Sequence, residues 1–378
     1  MTIYWILSIR KSALNIRYCS LLYRQTKSIY PLAWFDTFQY HIFRTNTHHV
    51  LSMLLHSISI TLALAIVTST SAQSNSKRGV SVLGDDHNSD WSLLTSGESP
   101  LSWYWNWSPW PTNSALVSDL NFIPQIHGIG NLIADVAQAK TIPKNSTHLM
   151  AFNEPDGTTD SGGSSISPED AAKAYIEHIR PLRKSEGGRF LVSHPATTGS
   201  SSGLDWLRGF NSSCYDLNPS DGCPLDFITA HWYGDFDGLV SWLGQLDEFY
   251  NDNSSTSSQT PLKIWITELA LPQQDEETTL QMMNQTLLYL DKLDIVERYA
   301  WFGMFRRDES NEWTGKEVAL FQNDGGLTKL GATYLNGAGG TVTFREGQKG
   351  TAEENSVCNR QVERYTWVIL GVVWVLII

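Results

Sequence analysis

Short apolar runs recur between Gly79 and about Gly340, each followed by turn residues and then by a stretch of helical periodicity. Eight runs read as strands: Arg78–Leu83, Ser102–Asn106, Asn121–His127, His148–Asn153, Arg189–His194, Leu225–His231, Leu262–Thr267 and Arg298–Gly303. Most are short and rich in β-branched or aromatic residues, as strands covered on both faces should be. Between them, Pro168–Ile179 opens with acidic residues in its first turn, and Leu239–Tyr250 sets Leu239, Trp242, Leu243, Leu246 and Phe249 on one helical face. Thr278–Leu293 repeats that pattern. Strand and helix therefore alternate as in an α/β protein with a parallel sheet, and roughly 260 residues match a single (β/α)8 TIM barrel. Pro124 counts against the third strand, and the run around Asp205 predicts only a short helix.

Two of these strands end in glutamate, Glu154 after the fourth and Glu268 after the seventh. Strand C-termini are where barrel enzymes keep their chemistry. A carboxylate there can instead cap the next helix or pair with an arginine. Two of them, with Asn153 directly before the first, suggest glycoside hydrolysis, which needs one carboxyl to protonate the leaving oxygen and a second at the anomeric carbon. No HExxH, phosphate loop or GxSxG elbow is present, and no cofactor or metal is implied.

Composition narrows the partner. With 41% apolar and 17% charged residues the chain can bury a sizeable core, and a net charge of -12 argues against nucleic acid. Residues 1–52 carry six basic side chains against Asp36 alone, so the remainder is more acidic still. Fifteen tryptophans suit a neutral substrate bound by aromatic faces. A doubtful leader (1–52) is followed by a secretory signal (53–72) and a linker (73–78) ending in Lys77–Arg78, which reads as a dibasic processing site or a solvated pair. The barrel spans 79–340, with a flexible glycine-rich end at Gly337–Gly340. A polar tail (341–364) and an apolar segment (365–378) follow. That segment resembles a lipid-anchor signal, the only expected route to a membrane, although a mispredicted last exon would look the same. Secretion to the extracellular space or cell wall as a monomer is expected. Cys214 and Cys223, around a short loop with turn signals, predict a disulfide. Asn145, Asn211, Asn253 and Asn284 lie in glycosylation sequons; Asn106 does too, within a strand-like run.

Asn153-Glu-Pro-Asp156 and Trp265-Ile-Thr-Glu268, with Gly79-Val-Ser-Val-Leu83, Trp103-Tyr-Trp-Asn-Trp107, His194-Pro195 and Ala230-His-Trp-Tyr-Gly234, resemble the fungal glycosyl hydrolase catalytic core family, glycoside hydrolase family 128. The resemblance covers roughly Gly79 to Gly337. It implies a retaining endo-β-1,3-glucanase acting on β-glucan polysaccharide or oligosaccharide, with Glu154 as acid/base and Glu268 as nucleophile. Hydrolysis of a β-1,4-glucan or mannan, or non-catalytic glucan binding at a cell wall, stays open. In the residues themselves, Asn153 is placed to bond the sugar hydroxyl beside the reacting carbon, or to serve as a turn amide. Tyr233 is placed to donate to the nucleophile carboxylate, or to backbone. His231 and His127 are candidates for sugar hydroxyls or for satisfied structural roles. Trp301 is the first candidate for stacking on sugar, followed by Trp105 and Trp107, with Trp232 and Trp313 behind them.

Overall fold

The computed structural model describes residues 77–350 apart from 84–86, 96–98, 113–119, 253–259 and 337–342. Among the described residues eight parallel strands carry the fold: β1 Arg78–Ser81, β2 Trp103–Trp105, β3 Asn121–Phe122, β4 His148–Leu149, β5 Leu191–Val192, β6 Ile228–Tyr233, β7 Ile264–Ala270 and β8 Val296–Trp301. Six form one sheet in the order β3-β2-β1-β8-β7-β6, and β4 pairs with β5. Parallel bridges Gln125↔Met150 and Ser193↔Phe227 join the two groups, so the strands follow one another around a ring in chain order. This is the (β/α)8 arrangement that the alternation predicts.

Pro124 explains why β3 is so short. Lacking an N–H, it ends the regular ladder after Phe122, yet its carbonyl accepts from Met150 N at 2.9 Å and pairing resumes at Gln125. Helices begin where a side chain caps them: Ser167 ahead of α3 (Pro168–Ala174), Asp235 ahead of α5 (Phe236–Asp247), Asp275 ahead of α6 (Glu276–Leu290) and Thr328 ahead of α7 (Lys329–Leu335). The first helices, α1 (Asn88–Leu94) and α2 (Leu132–Ala139), are short. Around Asp205 the expected short helix is in fact a 17-residue helix, α4 (Ser201–Leu217). Its serines and glycines dilute the apolar signal, but Leu204, Leu207, Phe210 and Cys214 hold one buried stripe. Cys214 at its end is bonded to Cys223, as predicted. Among the described residues no helix is long and apolar enough to cross a membrane.

Arg78 is neither a linker residue nor a solvated one. It opens β1, is buried, and its guanidinium donates to Tyr299 Oη, Asp291 Oδ2 and the carbonyls of Tyr334 and Asn336 at 2.6–2.8 Å. Lys77 donates to the carbonyls of Leu290 and Leu293, both at 2.9 Å. Residues after the expected domain end also pack on the barrel: Phe344 is buried, and Gly326 bridges Lys349. The leader, the signal, the apolar C-terminal segment, Asn253 and the glycine-rich stretch lie outside the described residues.

Candidate active site

Alternation along each strand decides what enters the barrel. Trp103, Trp105, Ile123, Met150, Phe227, Trp265 and Ala300 form the interior cluster. Counting by twos from Phe227 brings His231 and Tyr233 inward on β6. The same count on β7 from Trp265 would turn Glu268 outward, but Thr267 is an extra residue there: Ala230 pairs with Ile266 while His231 pairs with Glu268. This bulge re-aims the Glu268 side chain into the barrel mouth.

Glu268 is buried and held by two converging donors. Trp107 Nε1 donates to Oε1 at 2.7 Å, and the Tyr233 hydroxyl makes a short bond to Oε2. Burial and the adjacent carboxylate keep the Tyr233 phenol protonated, as a donor must be. Glu154 faces Glu268 from the segment that continues β4, at φ 37°, with its N–H bonded to Ala196 O at 2.7 Å. The 157–163 loop folds back on its carbonyl so closely that a Cβ at Gly163 would lie 2.7 Å from that oxygen.

His231 lies between the two glutamates. Its ring is fully buried, with Nδ1 2.8 Å from Glu154 Oε1 and Nε2 3.5 Å from Glu268 Oε1. One ligand-type atom from each of the three residues lies within 4.8 Å of the others. Burial lowers the imidazole pKa, but the Glu268 and Glu154 carboxylates outweigh it and leave it raised. The Glu268 pKa is raised by burial, with His231 opposing that effect, Glu154 adding to it, and the Tyr233 and Trp107 donors opposing it. The three groups thus form one buried cluster in which the charge on each acts on its neighbours. As a metal set they fit poorly, because N–H and O–H donors already face the lone pairs of Glu268 that a cation would need.

The structure brings together Glu154, Glu268, Tyr233, His231 and Trp107. His231 is fully buried, with both ring nitrogens toward the carboxylates. Asn153 is buried, with Nδ2 donating to Gly162 O at 3.1 Å and Oδ1 accepting from Gln125 at 3.4 Å, so it holds the β4 loop as a turn amide. Half-buried His127 borders the site; burial lowers its pKa, opposed by Asp135 and Glu154. Two tryptophan expectations are corrected. Trp301 is one pleat away from inward-facing Ala300, is buried toward the helices and donates to Val318 O at 2.9 Å. Trp105 is also buried, beneath Trp107 at 4.5 Å between ring centroids, and cannot stack on a ligand. Trp232 is half-buried and donates to Asp235 O at 2.9 Å. Sequence reasoning missed Gln125 and Asp156, which accepts from Thr198 N and Oγ1 beside Glu154. The Asn-Glu-Pro-Asp run was the available signal for Asp156.

Residues 79–334 match the family model described as glycosyl hydrolase catalytic core. The chain belongs to this family. Another protein similar to this family member is Alkali-sensitive linkage protein 1 of Schizosaccharomyces pombe, 33% identical over 245 residues. That match takes in 62% of this chain but only 40% of the longer relative. Among solved structures, a curdlan-specific exo-β-1,3-glucanase of glycoside hydrolase family 128 from Blastomyces gilchristii, in complex with glucose, is 27% identical with a TM-score of 0.53. The likeness covers 70% of this chain and 99% of that one. A family 128 oligosaccharide-binding protein from Cryptococcus neoformans shares the fold at 24% identity and a TM-score of 0.52, over 71% and 96% of the two chains.

Proposed function

We propose that the protein is a secreted endo-β-1,3-glucanase that retains anomeric configuration, with Glu268 as nucleophile and Glu154 as acid/base. The observation that carries this reading is the pair itself: a Glu154 and a Glu268 oxygen within 4.8 Å of each other, with two donors fixed on only one of the carboxylates. Retaining glycosidases hold their carboxyls about 5 Å apart, whereas inverting ones leave ~6.5 Å or more for a water. Trp107 and Tyr233 orient Glu268 for attack, and Glu154 has no such pair of donors among the described contacts.

In the first step a Glu268 oxygen bonds to the anomeric carbon as the glycosidic C–O bond breaks and Glu154 gives its proton to the departing oxygen. A water then attacks the same carbon, Glu154 takes its proton, and Glu268 leaves as carboxylate. Once Glu268 is an ester, the negative charge beside Glu154 is gone, and Glu154 is placed to accept the proton of the attacking water.

The Cys214–Cys223 disulfide supports an oxidising compartment, and exposed Asn145 and Asn284 are open to glycosylation. The β-1,3 linkage is supported by what the Blastomyces relative is described as cleaving. A second reading is glucan binding without cleavage; the Cryptococcus relative of the same fold is an oligosaccharide-binding protein. NMR of early products from laminarin separates these readings. The β-anomer in a ladder of oligosaccharides is expected; the α-anomer would overturn retention, and glucose alone would overturn endo action. Glucan retained with no new reducing ends would establish the binding reading, and cleavage of β-1,4-glucan or mannan in preference would overturn the linkage.

A further inference from the structure

Among the described residues, four other than glycine have positive φ: Trp107 (56°), Glu154 (37°), Ser165 (48°) and Gln273 (56°). The first two form the carboxylate site. Ser165 follows Ser164, whose N–H bonds the carbonyls of Asn153 and Glu154. Backbone strain of this kind persists where surrounding contacts enforce it, and it gathers at functional sites. Gln273 stands apart, because it touches none of these groups.

Its contacts all go to one loop. The Gln273 amide donates to the carbonyls of Glu312 and Trp313, and its backbone N–H bonds Thr314 O at 3.1 Å. Within the loop, Asn311 Oδ1 accepts from Thr314 N and Oγ1 at 2.7 and 2.9 Å, and Gly315 closes the turn at φ 75°. This clamp presents Trp313, whose side chain is 57% exposed while one edge packs on Tyr233 at 4.5 Å between ring centroids. Tyr233 in turn holds Glu268. An indole on a clamped backbone, held at one edge and largely in water, one aromatic ring away from the nucleophile, adds little to folding and offers a good surface for the C–H face of a pyranose.

We propose that Trp313 is the stacking platform of a subsite for a glucosyl unit next to the one being cleaved, with Gln273 as its positioning residue. The proposal rests on the β-glucan reading of the site. Because the Tyr233 ring separates Trp313 from Glu268, the platform serves a neighbouring sugar and not the reacting one.

The test compares Trp313→Ala, Trp313→Phe and Gln273→Ala with the parent on laminari-oligosaccharides and on an aryl β-glucoside carrying a single sugar. For Trp313→Ala, KM on oligosaccharides is expected to rise about 3- to 10-fold with kcat nearly unchanged, and the aryl glucoside rate to stay within about twofold. Trp313→Phe should recover most of the loss, and Gln273→Ala should show part of it. Equal losses on both substrates, or no change in KM, would overturn the platform. Calorimetric titration of laminaritetraose into Glu268→Gln and Glu268→Gln/Trp313→Ala keeps the test independent of turnover. Weaker binding by the double variant supports the platform even if the parent proves not to be an enzyme; equal binding overturns it.

Discussion

The two ends of the barrel are built from the same residue types and put to opposite uses. At the floor, Arg298 lies over the rings of Trp265 and Trp103 at 4.3 and 5.8 Å, and His148 packs on Trp265 at 4.6 Å. Burial lowers the His148 pKa to about 4 and the Arg298 pKa to about 10, and the Trp265 N–H is spent on Glu297. At the mouth, the Trp107 N–H and the Tyr233 hydroxyl converge on one buried carboxylate that already faces another. Among the described residues, all four with positive φ other than glycine belong to the mouth or its supporting loops. Aromatic and charged residues packed together thus do not mark a site by themselves. Buried like charges, donors aimed at one of them and strained backbone do.

The sharpest break of this comparison is Glu268→Gln against Trp265→Ala. The first should lower kcat by roughly 10⁴-fold or more with the melting temperature little changed. The second, at the floor, should cost about 3–5 kcal/mol of stability while the folded fraction keeps its KM. Urea denaturation with laminarin kinetics on both variants checks this, and a Trp265→Ala protein that is stable but inactive would erase the distinction.

Acid should act next, away from the site. His194 is buried with Nε2 2.6 Å from Cys223 O, and burial lowers its pKa to about 4. The unfolded ring takes up its proton near 6.5 and the folded ring only near 4. The contribution of His194 is therefore complete above pH 6.5 and is lost as pH falls toward 4, on the order of 3 kcal/mol. Denaturation midpoints measured across this range for the parent and His194→Gln should show a shallower acid decline in the variant.

The smallest effect is expected from Tyr233→Phe. Loss of one donor to the developing charge pattern at Glu268 should lower kcat about 10- to 100-fold. That donor also opposes the upward shift of the Glu268 pKa, so the acid limb of kcat/KM should move to higher pH. An unmoved limb would show that Tyr233 does not act on the carboxylate.

Much of this was legible in the chain. All eight strands were found in order, because runs such as Arg78–Leu83 are bounded by clear turns, and the two glutamates were placed by strand position alone. What strand reading misjudged was direction. Trp301 and Ala300 differ by one residue and face opposite sides of β8, and a short run in which both neighbours are buried carries no alternation to show which is inside. Glu268 reads as outward by simple counting, and only the extra Thr267 on β7 reverses it. No local signal announces a parallel bulge. His231 was recognised with two roles open, on a sugar or within the structure, and its contact with both carboxylates could not be read, since depth below the mouth depends on how strands stagger around the ring.

Arg78 has a consequence for how the molecule is made. Its guanidinium, at the start of β1, is satisfied by carbonyls 256 and 258 residues later in the chain. A ribosome releases β1 long before those partners exist, so the nascent barrel must wait as an open sheet with β1 unpaired along one edge and a charged side chain lacking its acceptors. β8 brings the pairing with β1 that closes the ring, and emergence of α7 then supplies the last two carbonyls. Synthesis rate and chaperone cover over that interval, more than the strength of any single contact, would then set how much of the protein escapes aggregation.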